Sequence, residues 1–257
     1  MSEHVRVEKS GPVLAITLAR PERRNAITVA MYSALAEAIE GAASDPSLRV
    51  ITFGGEGQDF AAGNDLADFL TALPRDREDI PVWRLLRAIV NCEIPMVAAV
   101  QGNCVGIGTT ALLHCDLVVA EEGARFSLPF VDLGLVPEAA SSLLLPRLAG
   151  RRRAARYLLL AEPFGVEEAL AIGLVSHVAV PGALKAKLDE IVAELLAKPP
   201  QALREAQRLL SLGTRDELLE RMRFEGAAFA ERLASPEVKE AIGAFFEKRK
   251  PDFSRFK

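Results

Sequence analysis

Histidine and cysteine are scarce in this chain, three of each in 257 residues. His4, His114 and His177 are too few and too scattered to make a metal site. Cys92, Cys104 and Cys115 show no C-x-x-C spacing and lie in or beside apolar segments. They read as reduced, buried thiols of a cytoplasmic protein. Positive charge is not in excess: 31 Lys and Arg face 35 Asp and Glu, a net charge of −4. That balance argues against nucleic acid or a membrane surface as the main partner. No apolar run is long enough to span a bilayer, and the start, MSEHVRVEKSGPV, lacks the apolar core of a signal peptide. There is no phosphate-loop G-K-[ST]. Gly102, Gly106 and Gly108 form G-x-x-x-G-x-G and not the dinucleotide fingerprint G-x-G-x-x-G, so no nucleotide cofactor is expected. No G-x-S-x-G elbow exists, and Ser141-Ser142 has no nearby histidine, which argues against a serine hydrolase.

Apolar residues are plentiful, half of the chain, enough for one large globular domain. VLAITLAR (13–20) reads as a strand between Gly11-Pro12 and Pro21. Thr28 caps a predicted helix over Val29 to Ala43, with apolar residues at helical spacing. VITFGG (50–55) and PMVAAV (95–100) read as buried strands, each running into a glycine-rich turn and a helix. Residues 83–90 have a helical pattern, and DLVVAEEGARFSL (116–128) holds one or two strands. Beyond Pro137 the pattern is mostly helical, with a short strand near LVSHV (174–178). Alternating strands and helices predict a mixed, largely parallel α/β core. Ser235-Pro236-Glu237 marks a sharp helix start, a capping serine with proline at the first helical position. Phe245 and Phe246, near that helix's end, suit either contact with another subunit or an ordinary amphipathic terminal helix.

Three features bear on chemistry. GQDFAAGNDL (57–66) and QGNCVGIGTT (101–110) share one design: each follows a buried strand, is rich in small residues and leads into a helix. Unpaired N–H groups at such helix starts favour negative charge, so two turns side by side could aim two donors at one oxygen. The same glycines also suit tight turns that serve packing alone. Second, FSLPFVDLGLVPEAASSLLLP (126–146) carries only two charges, Asp132 and Glu138. A carboxylate in apolar surroundings has its pKa raised toward the range useful for proton transfer; Glu138 is either such a base or a helix-start carboxylate. Third, arginines cluster at 20, 23 and 24, and at 151, 152, 153 and 156, the latter opening a helix. They form solvated faces or meet an anion or acidic neighbour.

Four segments in order resemble the crotonase superfamily, the enoyl-CoA hydratase/isomerase family, over essentially the whole chain. RPERRNAI (20–27) looks like its N-terminal CoA-contacting segment, and DFAAGNDL (59–66) is similar to its F-x-A-G-x-D-[LI] motif. IPMVAAVQGNCVGIGTTALLHCDLVVA (94–120) is similar to its central glycine-rich region, and FFEKRKPDF to its C-terminal ending. The resemblance implies an α/β fold with a crotonase-like ββα-spiral catalytic core over residues 1–180. It implies a helical C-terminal oligomerisation region over 181–257, assembling trimers or dimers of trimers. It implies an acyl-CoA substrate and no cofactor beyond the coenzyme A that the substrate carries. The backbone N–H groups of Asn64 and Ile107 are implied as the oxyanion hole, Ile107 standing where glycine is usual and narrowing or reshaping it. Arg24, Ala26, Ala62, Asp65 and Leu66 fall where the family contacts CoA.

The departures are informative. The two glutamates with which the family's hydratases hold water align with Thr110 and Phe130. LPFVDLGLVPEAASS instead resembles the single-glutamate branch of 3-enoyl-CoA to 2-enoyl-CoA isomerases, in which the residue matching Glu138 is the catalytic base. An enoyl-CoA isomerase is therefore expected. Enoyl-CoA hydratase or other crotonase-type chemistry is the alternative, with Glu138 or Asp132 acting on water, and a non-catalytic acyl-CoA-binding protein the second. The loop over 72–81 is expected to help set the acyl group.

Overall fold

The structure, a computed structural model, describes residues 2–71 and 80–256. The β-branched and aliphatic runs read as strands become strands. The order along the chain is β1 (Val5–Ser10), β2 (Val13–Leu18), β3 (Val50–Gly55), β4 (Met96–Val100), β5 (Asn103–Val105), β6 (Leu117–Glu121), β7 (Arg125–Ser127), β8 (Phe164–Gly165) and β9 (His177–Ala179). A six-stranded sheet has the order β1-β2-β3-β4-β6-β9; only β1 and β2 pair antiparallel. A three-stranded sheet, β5-β7-β8, lies beside it. β1, like the short β5 and β8, is not among the strands read from the sequence. It sits at the sheet edge with every residue after Val5 exposed, so nothing in its composition had to be apolar.

The helices are α1 (Val29–Ala43), α2 (Leu66–Thr71), α3 (Pro81–Asn91), α4 (Ile107–Leu112), α5 (Ser141–Ala149), α6 (Arg151–Leu159), α7 (Val166–Ala171), α8 (Leu184–Leu196), α9 (Pro200–Ser211), α10 (Arg215–Leu233) and α11 (Pro236–Phe246). The predicted caps form: Thr28 Oγ1 accepts the Met31 N–H at 3.3 Å, and Ser235 Oγ accepts the Val238 N–H at 3.3 Å.

Each central strand of the large sheet leads into a short strand of the second layer and then a helix, as in β4–β5–α4. Isolated bridges between Ile27 and Asn64 and between Ala61 and Cys104 extend that second layer toward the first turn. This is the expected ββα spiral. β4 is buried on both faces, which explains its unbroken apolar run. Met96, Ala98 and Val100 enter the main core, while Val97 packs with Val50, Val119, Ala179 and Ile191 of α8 on the other side. Residue 180, the expected boundary, lies between β9 and α8, and α8 packs Ile191 against the large sheet. Among the described residues no helix is long and apolar enough to cross a membrane. The three thiols are free, and burial holds those of Cys92 and Cys104 up at about 11 and about 12. Of the loop over 72–81, residues 72–79 lie outside the described residues.

Candidate active site

The two small-residue turns lie side by side. The Val105 N–H donates to the Ala61 carbonyl at 2.9 Å, and the Phe60 and Ala61 N–H groups reach Asn103 O at 3.1 Å. Gly108 is required by this approach: a Cβ there would sit 2.9 Å from the Ala61 Cβ. Asn25, fully buried, pins the N-terminal segment to the first turn. Its Nδ2 donates to Glu56 O at 2.9 Å and Asp59 O at 2.8 Å, and its Oδ1 accepts from Arg20 N–H at 2.9 Å. Ile107 is the first residue of α4, following Gly106 at φ +54, so its N–H is one of the helix's orphan donors. Among the described residues neither the Asn64 nor the Ile107 N–H has a protein acceptor. Ile107 is buried in the main core. It lines an apolar pocket of about 60 Å³ together with Leu35, Phe53, Leu85 and Ile89, and with Phe60 and Gly108 of the two turns.

Glu138 follows the short 3-10 turn Val131–Leu133 and precedes α5. Its Oε1 accepts from Thr110 Oγ1 at 2.5 Å, so a position aligned with a hydratase glutamate here supplies a donor to Glu138. Its Oε2 has no partner among the described residues. Desolvation pushes the Glu138 carboxyl up to about 8; the Thr110 bond opposes that and the Glu225 charge adds to it. Phe130 is buried and removes the other family carboxylate position from consideration. Asp132 is exposed on the 3-10 turn. The buried Tyr32 hydroxyl of α1 donates to Asn64 Oδ1. Burial first, and the Glu138 charge second, keep that phenol well above its ordinary range, so it remains a donor. Thr110→Val is expected to displace the acid limb of the rate profile to higher pH, because the Thr110 bond favours the ionised carboxylate. Initial rates across pH 6–10, a range of about four units around that limb, measure this. An unmoved limb would show that the Thr110 bond is not made in solution.

The implied CoA-contact residues gather along the rim of the first turn. Arg24, at φ 51, is largely exposed, with Nε 3.8 Å from Asp59 Oδ2. Its carbonyl accepts the Ala62 N–H at 2.9 Å, and the Ala26 N–H donates to Arg23 O at 3.0 Å. Asp65 has its carboxylate engaged by the fold: Oδ2 meets Arg20 Nη1 at 2.7 Å, and Oδ1 accepts the Ala67 and Asp68 N–H groups at 3.2 Å each. Burial opposes its ionisation, but these bonds hold its pKa below the usual value. Leu66 opens α2. Of the second arginine cluster, Arg153 and Arg156 do meet acidic neighbours, Glu168 for both and Glu162 for Arg156.

Known proteins resemble this chain in sequence and in fold. The family model described as enoyl-CoA hydratase/isomerase matches residues 8–255. The chain belongs to the enoyl-CoA hydratase/isomerase family. It is a crotonase-type acyl-CoA enzyme. It is 34% identical to the 2,3-dehydroadipyl-CoA hydratase of Escherichia coli K12, over 98% of this chain and 99% of that protein. It is 30% identical to the crotonyl-CoA hydratase of Syntrophomonas wolfei, over 98% of each. The crystal structure of an enoyl-CoA hydratase/isomerase from Pseudoalteromonas atlantica T6c superposes with a TM-score of 0.93 at 41% identity, covering 98% of this chain and all (100%) of that one. Within the enoyl-CoA hydratase/isomerase family motif, the sequence points to Glu138, Asn64 and Ile107. It does not reveal Asn25, Tyr32 or Glu225, whose partners are 31, 32 and 85 residues away in the chain.

Proposed function

We propose that this enzyme is an enoyl-CoA isomerase that shifts a 3-enoyl double bond to the 2 position, with Glu138 as its single base. The observation that carries this reading is the arrangement around Glu138. One desolvated carboxylate, raised to about 8, has one oxygen fixed by Thr110 and the other unengaged among the described residues, and both family hydratase positions lack a carboxylate. Moving the double bond needs a proton taken from C2 and one returned to C4. A single carboxylate on one face of the substrate can do both, so atoms and charge balance without water or a second acid. Loss of the C2 proton leaves a thioester enolate. The Asn64 and Ile107 N–H groups, without a protein acceptor among the described residues, are the donors for its oxygen. An apolar surround that includes Phe130 protects that intermediate from water. No cofactor takes part beyond the substrate's CoA, whose contacts fall to Arg24, Ala26, Ala62, Asp65 and Leu66. Exposed Leu159, Leu160, Phe245 and Phe246 are the apolar surface that assembly into a trimer or dimer of trimers would cover.

The experiment is to incubate the enzyme with 3-enoyl-CoA and 2-enoyl-CoA thioesters in labelled water. The expected result is interconversion of the two with solvent deuterium entering C2 and no solvent oxygen in the product. Uptake of oxygen to give a 3-hydroxyacyl thioester as the main product would overturn it. That outcome is the second reading, hydration, which is favoured by the names of the relatives, hydratases from Escherichia coli and Syntrophomonas wolfei among them.

A further inference from the structure

The turn that carries Glu138 is one that L-residues resist. Ala139 and Ala140 are consecutive non-glycine residues, both at φ 56 in the left-handed region. Such a pair persists only where its surroundings over-determine it, and such strain gathers at functional sites. Two side chains from other helices and segments hold it. His114 Nε2, just past α4, lies 2.8 Å from the Ala139 carbonyl. Burial pushes the imidazole pKa down, so the ring is neutral, and a carbonyl partner requires Nε2 to carry its hydrogen. Glu225, on α10 and only 7% exposed, accepts the Ala140 N–H on Oε2 at 2.6 Å and the Ser142 N–H on Oε1 at 2.9 Å.

α5 starts with no side-chain cap of its own, since Ala140 occupies its N-cap position. Glu225 supplies the missing cap from 85 residues away. Desolvation raises the Glu225 carboxyl above its ordinary value, while the Ser142 and Ala140 donors and the Arg221 charge favour its ionised form. We infer that Glu225 is a positioning residue for the reaction: it clamps the strained Ala139–Ala140 turn and sets a fixed negative charge behind Glu138. His114 completes the clamp.

The inference rests on the proposed role of Glu138 as base. The groups facing Glu138 are Thr110 from α4, the neutral Tyr32 phenol from α1 and Glu225 from α10. Those facing Glu225 are the Ala140 and Ser142 amides, the Ser142 hydroxyl and Arg221, one turn earlier on α10. Of these, only Glu225 adds negative charge near Glu138, so it makes Glu138 keep its proton to higher pH.

The test is Glu225→Gln in the full chain, with the Glu138 carboxyl followed by ¹³C NMR titration and assigned by comparison with Glu138→Gln. The titration midpoint is expected to fall by about one pH unit, the scale of losing one like-charge neighbour. The kcat for C2 exchange is expected to fall about tenfold with KM within about twofold, as misplacement of a base affects the chemical step. Ala140→Gly added to Glu225→Gln should restore most of the kcat, because glycine takes the left-handed conformation without strain, while the midpoint stays low. That double variant also supplies the midpoint where the single one does not fold. An unmoved midpoint, or a kcat that Ala140→Gly fails to recover, overturns the inference. The midpoint is read without turnover. Failure of the parent reading shows separately, as C2 exchange that survives Glu138→Gln.

Discussion

Glu138→Gln is expected to lower C2 proton exchange by a factor of about 10³, within the range that general base catalysis contributes, while acyl-CoA binding is retained. The substitution is nearly isosteric. Gln keeps a carbonyl oxygen that can accept the Thr110 hydroxyl, so the contact at 2.5 Å survives and the turn is not dismantled. What is lost is the carboxylate oxygen of Glu138 that takes the proton. The measurements are exchange into C2 in deuterated water and calorimetric binding of a saturated acyl-CoA. Unchanged exchange would move the base elsewhere, and lost binding would show that the turn itself had collapsed. The wild-type profile carries a linked expectation. With the Glu138 carboxyl near 8, kcat/KM should rise with pH through that value, since the ionised form is the base. Stability runs the other way. A carboxyl raised from its ordinary 4.5 contributes stability that is complete below about 4.5 and is lost as pH rises through about 8. The Tm of Glu138→Gln relative to wild type should therefore climb between about pH 4 and about pH 9, about half a unit below and a unit above that window.

Ile107→Pro is expected to lower kcat by a factor of about 10² to 10³, the loss seen when one donor of an oxyanion hole is removed. A backbone donor cannot be deleted by changing a side chain, but proline lacks the N–H altogether. Position 107 tolerates proline for a physical reason. It is the first residue of α4, where the N–H has no intrahelical acceptor and the proline φ is already helical. The preceding residue is Gly106, free of the steric restriction that proline imposes on its neighbour. The ring also keeps apolar volume beside Leu35 and Leu85 at the apolar pocket. The checks are kcat, binding of a CoA ester and thermal melting. A kcat within about threefold of wild type, with folding and binding intact, would remove the Ile107 N–H from the mechanism.

Much of the fold was legible along the chain. Thr28 and Ser235 announced their helices because a capping hydroxyl is a local signal, and the interaction closes three residues away. The run MVAAV announced a central strand because burial on both faces demands apolar residues at every position. β1 was silent for the opposite reason, an exposed edge strand being free to be polar. Glu138 stood out because charge is expensive in an apolar segment. Asn25, Tyr32 and Glu225 did not, because a polar residue in a loop or on a helix looks ordinary until its partner arrives from elsewhere in the fold.

Sequence by itself therefore determined the alternation of strands and helices, the two glycine-rich turns and the lone carboxylate, all of which rest on local spacing and composition, while the spiral was implied by the family resemblance. The tertiary structure decided what those parts mean to one another. It laid Gly108 against Ala61, buried Ile107 in the main core and paired Thr110 with Glu138. It also brought Glu225 from α10 to hold the turn beneath the base. The physical reason is desolvation: a carboxyl's pKa depends on what surrounds it in space, and those neighbours come from α1, α4 and α10, far apart in the chain.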